Sequence, residues 1–280
     1  MAALLLAGCD KIEDAGNGYV IYSGASGEWV ETQEGVSDHS QRVFVEKYTG
    51  THCTNCPKAD EAIEQLHKTY GDKLIAVSVY DSSNYATPYP NNLDLRTADG
   101  NVWSKYFGIR SIGYPNCLLN RNKNGEGNYE IINPTSGMGN KIDAILAQQT
   151  PVAMEVQLAG IEGSQVMADV FVEFLQDVNE PLSLTLLVME DGLVSEQMLP
   201  MDSEIESDPN YVHDHVLRDV VTDPWGDAMN IEGQQGHSYR ARYAFPLNSE
   251  YKLNNCHIVA FVSNQNSRVV LNIAECKLHE

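Results

Sequence analysis

The sequence is poor in basic residues: 18 Lys and Arg stand against 39 Asp and Glu, which gives a formal net charge of −21. A chain this acidic repels phosphate backbones, so nucleic acid is excluded as a partner. No apolar run reaches about 18 residues, the length that a membrane-spanning helix needs. Hydrophobic residues nevertheless make up 42% of the chain, which excludes wholesale disorder.

Length and cysteine content set further limits. At roughly 100–200 residues per domain, the chain is long enough for two domains, each with its own core. The six cysteines are too few for a disulfide-dense scaffold but enough for one redox or metal site. The pattern of strands, turns and helices changes at residue 150. It predicts an α/β domain over residues 39–150 and an all-β domain over residues 151–280.

The N-terminal residues predict export and lipidation. A short apolar run leads into Leu6-Ala7-Gly8-Cys9, which resembles the lipobox that precedes lipidated cysteines in bacteria. We interpret residues 1–9 as a signal-peptide remnant and residues 10–38 as a tether, with an arbitrary apolar tail as the alternative. Acyl chains on Cys9 would hold the protein at a membrane through the lipid alone. The protein would then lie outside the cytoplasm, where disulfides persist.

A CxxC motif lies at the centre of the predicted functional site. Residues 42–48 alternate and predict a strand, and Pro57 suits the first turn of a following helix. Cys53 and Cys56 therefore lie at a helix N-terminus, whose partial positive charge favours a thiolate. Cys53 would be the exposed nucleophile, and Cys56 would resolve the mixed disulfide. A protonated His52 would favour the thiolate; a solvent-exposed turn residue is the alternative.

The elements after the motif follow a recognisable order. A buried strand at 74–80 and a polar loop at 81–96 lead to a short helix at 102–107. Tyr114-Pro115, a strand, a β-hairpin and a closing helix follow. This order resembles the thioredoxin-like superfamily. The chain as a whole resembles Bacteroidetes outer-membrane lipoproteins that join such a domain to a C-terminal β-domain.

The resemblance implies an α/β thioredoxin-like domain over residues 39–150. It implies a cis bond before Pro115, with the Tyr114–Pro115 loop facing the CxxC to hold the backbone of a substrate chain. It also implies a location in the cell envelope at the outer membrane, on the periplasmic or the surface face. His52 replaces the Trp of thioredoxin, and Thr54-Asn55 replaces Gly-Pro between the cysteines. The redox direction therefore stays open.

From residue 151 the pattern becomes all β. Six runs predict an immunoglobulin-like β-sandwich, with strands at 152–158, 165–175, 182–190, 237–245, 256–263 and 269–277. Residues 193–231 form a long acidic connection, and a loop of this length is usually functional or packed by its own side chains. Within it, His213 and His215 would share one face of a strand. They could bind a metal ion, with structural hydrogen bonding as the alternative.

The other cysteines carry weaker predictions. Cys256 and Cys276 flank a hairpin whose loop centres near Asn266, which makes a cross-strand structural disulfide possible if the register places them opposite each other. Cys117 is predicted to be a buried, inert thiol. The CxxC has alternatives of its own. Half of a zinc site would need two more ligands, and a structural disulfide without turnover is the stronger alternative.

Two functional hypotheses follow. The first is a lipid-anchored thiol–disulfide oxidoreductase of the cell envelope, which would act on protein thiols or disulfides and need no organic cofactor. The second is a non-enzymatic outer-membrane surface lipoprotein that binds a protein or a glycan, with the CxxC as a structural disulfide. A third combines them, with the β-domain delivering a client to the CxxC. Exposure of the Cys53 sulfur discriminates between the first two, because a buried sulfur favours a structural disulfide.

Overall fold

A computed structural model describes residues 11–13, 20–22 and 27–279 and shows a chain built mostly from β-strands with few helices. The strands are β1 (Lys11–Glu13), β2 (Val20–Tyr22), β3 (Trp29–Thr32), β4 (Val43–Thr49), β5 (Leu74–Tyr80), β6 (Asn116–Leu119), β7 (Val152–Glu162), β8 (Gln165–Phe174), β9 (Leu182–Glu190), β10 (Leu193–Val194), β11 (Gln197–Met198), β12 (Ser207–Asp208), β13 (Val212–His213), β14 (Val216–Val220), β15 (Asp227–Ala228), β16 (Ser238–Pro246), β17 (Cys256–Asn264) and β18 (Val270–Lys277). The helices are α1 (Cys56–Tyr70), α2 (Ala98–Tyr106), α3 (Ile109–Ile112) and α4 (Met138–Leu146). Within the described ranges, no helix combines the length and the apolar character needed to cross a membrane. Cys9 lies outside these ranges, so its lipidation stays a prediction.

One large sheet joins the two halves of the chain. Its strand order is β18-β17-β9-β14-β5-β4-β6, with β15 paired to β9. β4 and β5 are parallel, whereas β6 is antiparallel to β4. The junction is the parallel pairing of β14 with β5. There the Ser78 amide donates to the His215 carbonyl at 2.6 Å, and the Ser78 hydroxyl donates to the Asp214 carbonyl at 3.0 Å. The boundary expected at residue 150 therefore does not separate two sheets.

The second sheet packs against the C-terminal part of the large sheet. Its order is β3-β16-β8-β7, and all neighbours are antiparallel. Inward side chains of both sheets share one core, among them Phe174, Leu186 and Ile258. Two facing sheets are thus present, but one continues into the first half of the chain, which the expectation of a separate immunoglobulin-like sandwich missed. β3, within the segment interpreted as a tether, is an edge strand paired with β16.

Local sequence accounts for the elements around the CxxC. β4 and β5 are buried along their whole length, as expected for strands covered on both faces. α1 begins at Cys56 and ends at Tyr70, and Gly71 caps it with a φ of 56°, which suits a residue without a Cβ. α2 begins at Ala98, earlier than predicted, because the Thr97 hydroxyl accepts the Gly100 amide at 2.9 Å and caps the helix.

The acidic connection at 193–231 contains a strand that pattern analysis missed. β14 lies inside the large sheet, between β9 and β5. A β-bulge between Leu217 and Asp219 interrupts its pairing with β9, so the two-residue alternation that identifies a strand is broken. Residues 193–213, which precede β14, leave the large sheet and pair among themselves as β10 with β13 and β11 with β12.

An ion pair is buried in the core where the two halves meet. Arg121 and Glu46 have side chains that are 1% and 0% exposed, and two hydrogen bonds of 2.7 and 3.1 Å join them. Five aromatic rings surround the guanidinium, with centroids 4.8–5.9 Å away: Phe44, Trp103, Phe107, Trp225 and Phe261. These rings come from both halves of the chain, so the buried Arg121 side chain packs against both halves.

Candidate functional site

Cys53 and Cys56 form a disulfide at the N-terminus of α1. Cys53 lies in the turn after β4, where its amide donates to the Gly50 carbonyl at 3.1 Å. The Cys56 amide donates to the Cys53 carbonyl at 3.1 Å, and α1 begins at Cys56. Gly50 is required in this turn, because a Cβ there would lie 2.3 Å from the Tyr85 carbonyl oxygen. The turn is therefore held tightly against the loop that carries Tyr85.

Both cysteines are buried: Cys53 is 3% exposed and Cys56 is not exposed. The expectation that Cys53 is an exposed nucleophile is therefore wrong for this conformation. Residues 193–213, called here the cover arm, pack against the CxxC turn and hydrogen-bond to its backbone. The Gln197 side-chain amide donates to the Cys53 carbonyl at 3.1 Å. The Met198 backbone amide donates to the Thr51 carbonyl at 2.7 Å, so the backbone of the arm is also hydrogen-bonded to the CxxC turn.

Buried polar side chains anchor the base of the cover arm. His213 Nε2 lies 3.1 Å from the Ser195 carbonyl, and His213 Nδ1 lies 2.8 Å from the Tyr80 hydroxyl. Since a carbonyl only accepts, Nε2 carries the proton and Nδ1 accepts from Tyr80. Burial lowers the pKa of His213 to about 4, so the ring is neutral at physiological pH. The Tyr211 hydroxyl donates to Asp60 on α1 at 2.8 Å.

The two histidines of the acidic connection do not share a metal site. His213 is occupied by the anchor, whereas His215 has a φ of 59° and its ring lies 3.4 Å from an Asp191 carboxylate oxygen. The His215 ring also stacks on His67, with centroids 4.8 Å apart. Among the described residues, no group of three or more His, Cys, Asp or Glu side chains is arranged to bind a metal ion. His213 therefore has the structural hydrogen-bonding role that the sequence left open as the alternative to metal binding.

A cluster of aromatic rings lies beside the turn that carries Cys53. The Tyr114–Pro115 bond is cis, as the resemblance implied. Tyr114 lies 5.4 Å from Tyr85 between ring centroids, and His52 stacks on Tyr89 at 4.1 Å. The His52 amide donates to the Tyr85 carbonyl at 2.8 Å, which joins the two ring pairs. We call His52, Tyr85, Tyr89 and Tyr114 the tyrosine face; Tyr85 is 50% exposed and the others are half-buried.

Asp81 positions this face from below. The Tyr114 hydroxyl donates to an Asp81 carboxylate oxygen at 2.5 Å, and the Ser104 hydroxyl donates to the same oxygen. Burial raises the pKa of Asp81, but the hydrogen bonds from Ser104, Tyr114 and Ser83 outweigh it, so the pKa lies below its ordinary value. The charged carboxylate therefore keeps Tyr114 oriented at neutral pH.

Three other cysteines in the described ranges, Cys117, Cys256 and Cys276, are free thiols. The disulfide that the sequence made possible between Cys256 and Cys276 does not form, because Cys276 lies opposite Ile258, two residues from Cys256. Cys117 is a buried free thiol whose pKa burial raises to about 12, which suits an inert core residue.

Sequence reasoning missed the residues that cover the disulfide. Gln197 is 144 positions from Cys53, and Tyr211 is 151 positions from Asp60, so no local pattern links them. The signal available in the sequence was the length of the acidic connection. Such loops are often packed by their own side chains, and this one packs onto the CxxC.

The sequence places the chain in a known family. The family model for the outer membrane protein Omp28 matches residues 101–280, which are 180 of the 280 residues. The chain belongs to the Omp28 family. This membership locates it in the cell envelope at the outer membrane, as predicted. No curated protein matches the sequence significantly.

Solved structures resemble this Omp28-family chain in fold. HBP35 of Porphyromonas gingivalis is 21% identical, with a TM-score of 0.59 over 86% of this chain and 76% of that one. Protein AGR_C_4864 from Agrobacterium tumefaciens is 16% identical, with a TM-score of 0.50 over 87% and 97% of the two chains. A domain of the outer membrane lipoprotein Omp28 from Porphyromonas gingivalis is 16% identical, with a TM-score of 0.30 over 46% and 89%. Likeness at these identities concerns the fold and assigns no activity.

Proposed function

We propose that this Omp28-family chain is a non-enzymatic protein of the outer-membrane surface that binds a protein partner through the tyrosine face. Cys53–Cys56 serves it as a structural disulfide. The observation that carries the proposal is the burial of Cys53, at 3% exposed, beneath the cover arm. Thiol–disulfide exchange needs a nucleophile in line with a sulfur atom, and a covered sulfur denies that approach.

The composition of the tyrosine face supports a protein as the partner. Tyrosine supplies a large contact area with few rotatable bonds and a hydroxyl for hydrogen bonding, and it is enriched where proteins meet. Here the His52 residue is held by the stacking of its ring on Tyr89 and by the hydrogen bond from its amide to the Tyr85 carbonyl. The Tyr114 ring is held by the hydrogen bond from its hydroxyl to Asp81. Such restraint lowers the conformational entropy that binding would cost.

We further propose a thioredoxin-like origin for the scaffold and a lipid anchor at Cys9. The strand order β5-β4-β6, with α1 following β4, supports the first. The lipobox-like residues before Cys9 and membership of an outer-membrane family support the second. One fold can host many unrelated functions, so a scaffold of this kind accommodates a binding role as readily as a redox role.

Removal of the Gln197 amide tests whether the arm protects the disulfide. In Gln197→Ala, the buried Cys53 carbonyl loses its donor, which costs about 1–3 kcal/mol and opens the arm more often. We expect dithiothreitol to reduce the disulfide about tenfold faster than in the wild type, measured by alkylation and mass spectrometry. Gln65→Ala, an exposed position on α1, is the matched control. Equal rates in all three proteins would show that the arm gives no protection.

Two double variants test whether the tyrosine face or the disulfide is needed to bind a protein partner. Tyr85→Ala with Tyr89→Ala should abolish retention of an outer-membrane protein from a detergent extract, whereas Cys53→Ser with Cys56→Ser should retain it. The cysteine variant loses about 2 kcal/mol of stability, the figure for closing so short a loop. Tyr106→Ala is the control, since Tyr106 is 50% exposed, like Tyr85, and lies outside the tyrosine face. Retention that depends on the cysteines but not on the tyrosines contradicts the proposal.

A thiol–disulfide oxidoreductase is the second candidate. It is favoured by the place of the disulfide, at the N-terminus of α1 directly after β4. In the direction that an insulin assay measures, dithiothreitol would reduce the Cys53–Cys56 bond to two thiols. These thiols would be oxidised back to the disulfide as a disulfide of the client protein is reduced to two thiols. Catalysed reduction of insulin by dithiothreitol, lost in Cys53→Ser, would establish this candidate and displace the first.

A further inference from the structure

A recess of about 660 Å³ lies between the N-terminal approach to β4, the end of α4 and the end of β8. Five glutamines line it: Gln41, Gln148, Gln149, Gln176 and Gln235. The whole chain contains twelve glutamines, so five of twelve gather at eleven lining positions. They come from four separate segments, which only the tertiary structure brings together. We call this feature the glutamine recess.

Four of these amides are free to bind. Gln41 is committed, since its side chain donates to the Arg42 carbonyl at 2.8 Å and to the Leu271 carbonyl at 3.0 Å. Across the described ranges, the side chains of the other four have no hydrogen-bond partner, and all four are exposed. Each free amide offers two N–H donors and a carbonyl oxygen whose two lone pairs accept. The recess therefore presents donors and acceptors in similar number.

We propose that the glutamine recess binds a neutral saccharide. Sugar hydroxyls both donate and accept hydrogen bonds, and amide side chains match both roles. Leu146 and Leu175, half-buried in the lining, offer apolar surface for the C–H groups of a sugar ring. The volume lies within the roughly 300–1,000 Å³ typical of small-ligand sites.

Charge favours a neutral ligand over an acidic one. No Asp or Glu lines the recess, and Lys73 is its one lysine. Lys73 lies close enough to Asp38 to help lower the pKa of that carboxyl, after larger contributions from hydrogen bonds with Ser40 and from Arg42. Its charge is thus partly balanced, and the chain as a whole carries −21. An acidic saccharide would meet net repulsion.

The test uses the full chain with maltohexaose, cellohexaose and mannohexaose, and with oligogalacturonate as the acidic comparison. Isothermal titration is expected to show saturable binding of at least one neutral hexaose. Gln148→Leu with Gln176→Leu should weaken it at least tenfold, since each lost amide removes up to two hydrogen bonds. Gln65→Leu with Gln157→Leu, at exposed positions outside the recess, should bind as the wild type does.

Three results would overturn the proposal: no binding of any neutral hexaose, binding of oligogalacturonate alone, or unchanged affinity in the recess variant. Thermal unfolding of both double variants shows whether a loss of affinity reflects a loss of folding; the Ala versions of the two positions repeat the test without added apolar surface. The recess shares no residue with the tyrosine face, so its failure and the failure of the proposed function are distinguishable.

Discussion

Replacing Arg121 with methionine is expected to lower the free energy of unfolding by about 3–5 kcal/mol. The side chain is 1% exposed and its partner Glu46 is fully buried, so the variant leaves a carboxylate in the core without its cation. The Tyr48 hydroxyl, which donates to Glu46 at 2.7 Å, satisfies only part of that charge. Urea unfolding followed by tryptophan fluorescence measures the loss.

Two further variants separate the charge from the packing. In Glu46→Gln with Arg121→Met, no charge is left buried and Tyr48 keeps an acceptor, so the double variant should be more stable than Arg121→Met alone. Arg242→Met, at a 52% exposed arginine beside Asp169, should cost less than about 1 kcal/mol. A loss for Arg121→Met no larger than that for Arg242→Met would show that the buried pair does not hold the two halves together.

The stability of the protein is expected to fall as the pH rises from about 5 to about 8.5. Burial raises the pKa of Asp99 to about 7, and burial with the nearby Asp99 charge raises the pKa of Asp219 to about 8. Both carboxyls titrate near 3.8 when unfolded. The folded state therefore binds more protons in this window, and its advantage is complete below about pH 4 and lost as the pH passes the folded values.

Asp99→Asn with Asp219→Asn should remove much of this dependence. At pH 8.5 the double variant is expected to be more stable than the wild type by up to about 7 kcal/mol, because neither buried position then carries a charge and each pH unit below a folded pKa is worth about 1.36 kcal/mol. At pH 5 the two proteins should differ little. Asp72→Asn, at an exposed aspartate, is the control. Urea unfolding at both pH values measures the difference, and an equal slope in wild type and double variant contradicts the assignment.

The arrangement around the CxxC could be predicted in part because its signals are local. The alternation before Thr49, the turn containing Gly50 and the proline after Cys56 lie within a few residues of one another. They specify a strand, a turn and a helix without help from the rest of the chain. The burial of Cys53 could not be predicted in this way, since the segment that packs against its turn, and whose Gln197 side chain bonds to the Cys53 carbonyl, is distant in the chain.

The hairpin of β17 and β18 shows the same limit on a smaller scale. Both strands were predicted from their apolar alternation, but the pairing of Cys256 with Cys276 depended on the register. Ser263 pairs with Val270, which is one position away from the register that a Cys256–Cys276 pair needs. A bulge between Val262 and Ser263 adds a second position, so Ile258 lies opposite Cys276, and no residue near the turn predicts that bulge. Strand existence is a local property, whereas register is decided by the partner strand and the core beneath it.

The sequence by itself determined the charge of the protein, the lack of an apolar run of membrane-spanning length, the CxxC at a helix N-terminus and the β-rich character of the second half. Those features follow from composition and from spacing within one element. Only the tertiary structure decided that both halves share one sheet through Ser78 and β14, that the cover arm buries the disulfide, and that five distant glutamines line one recess. Each of these depends on contacts between residues far apart in the chain, where free energy is set by packing and not by local pattern.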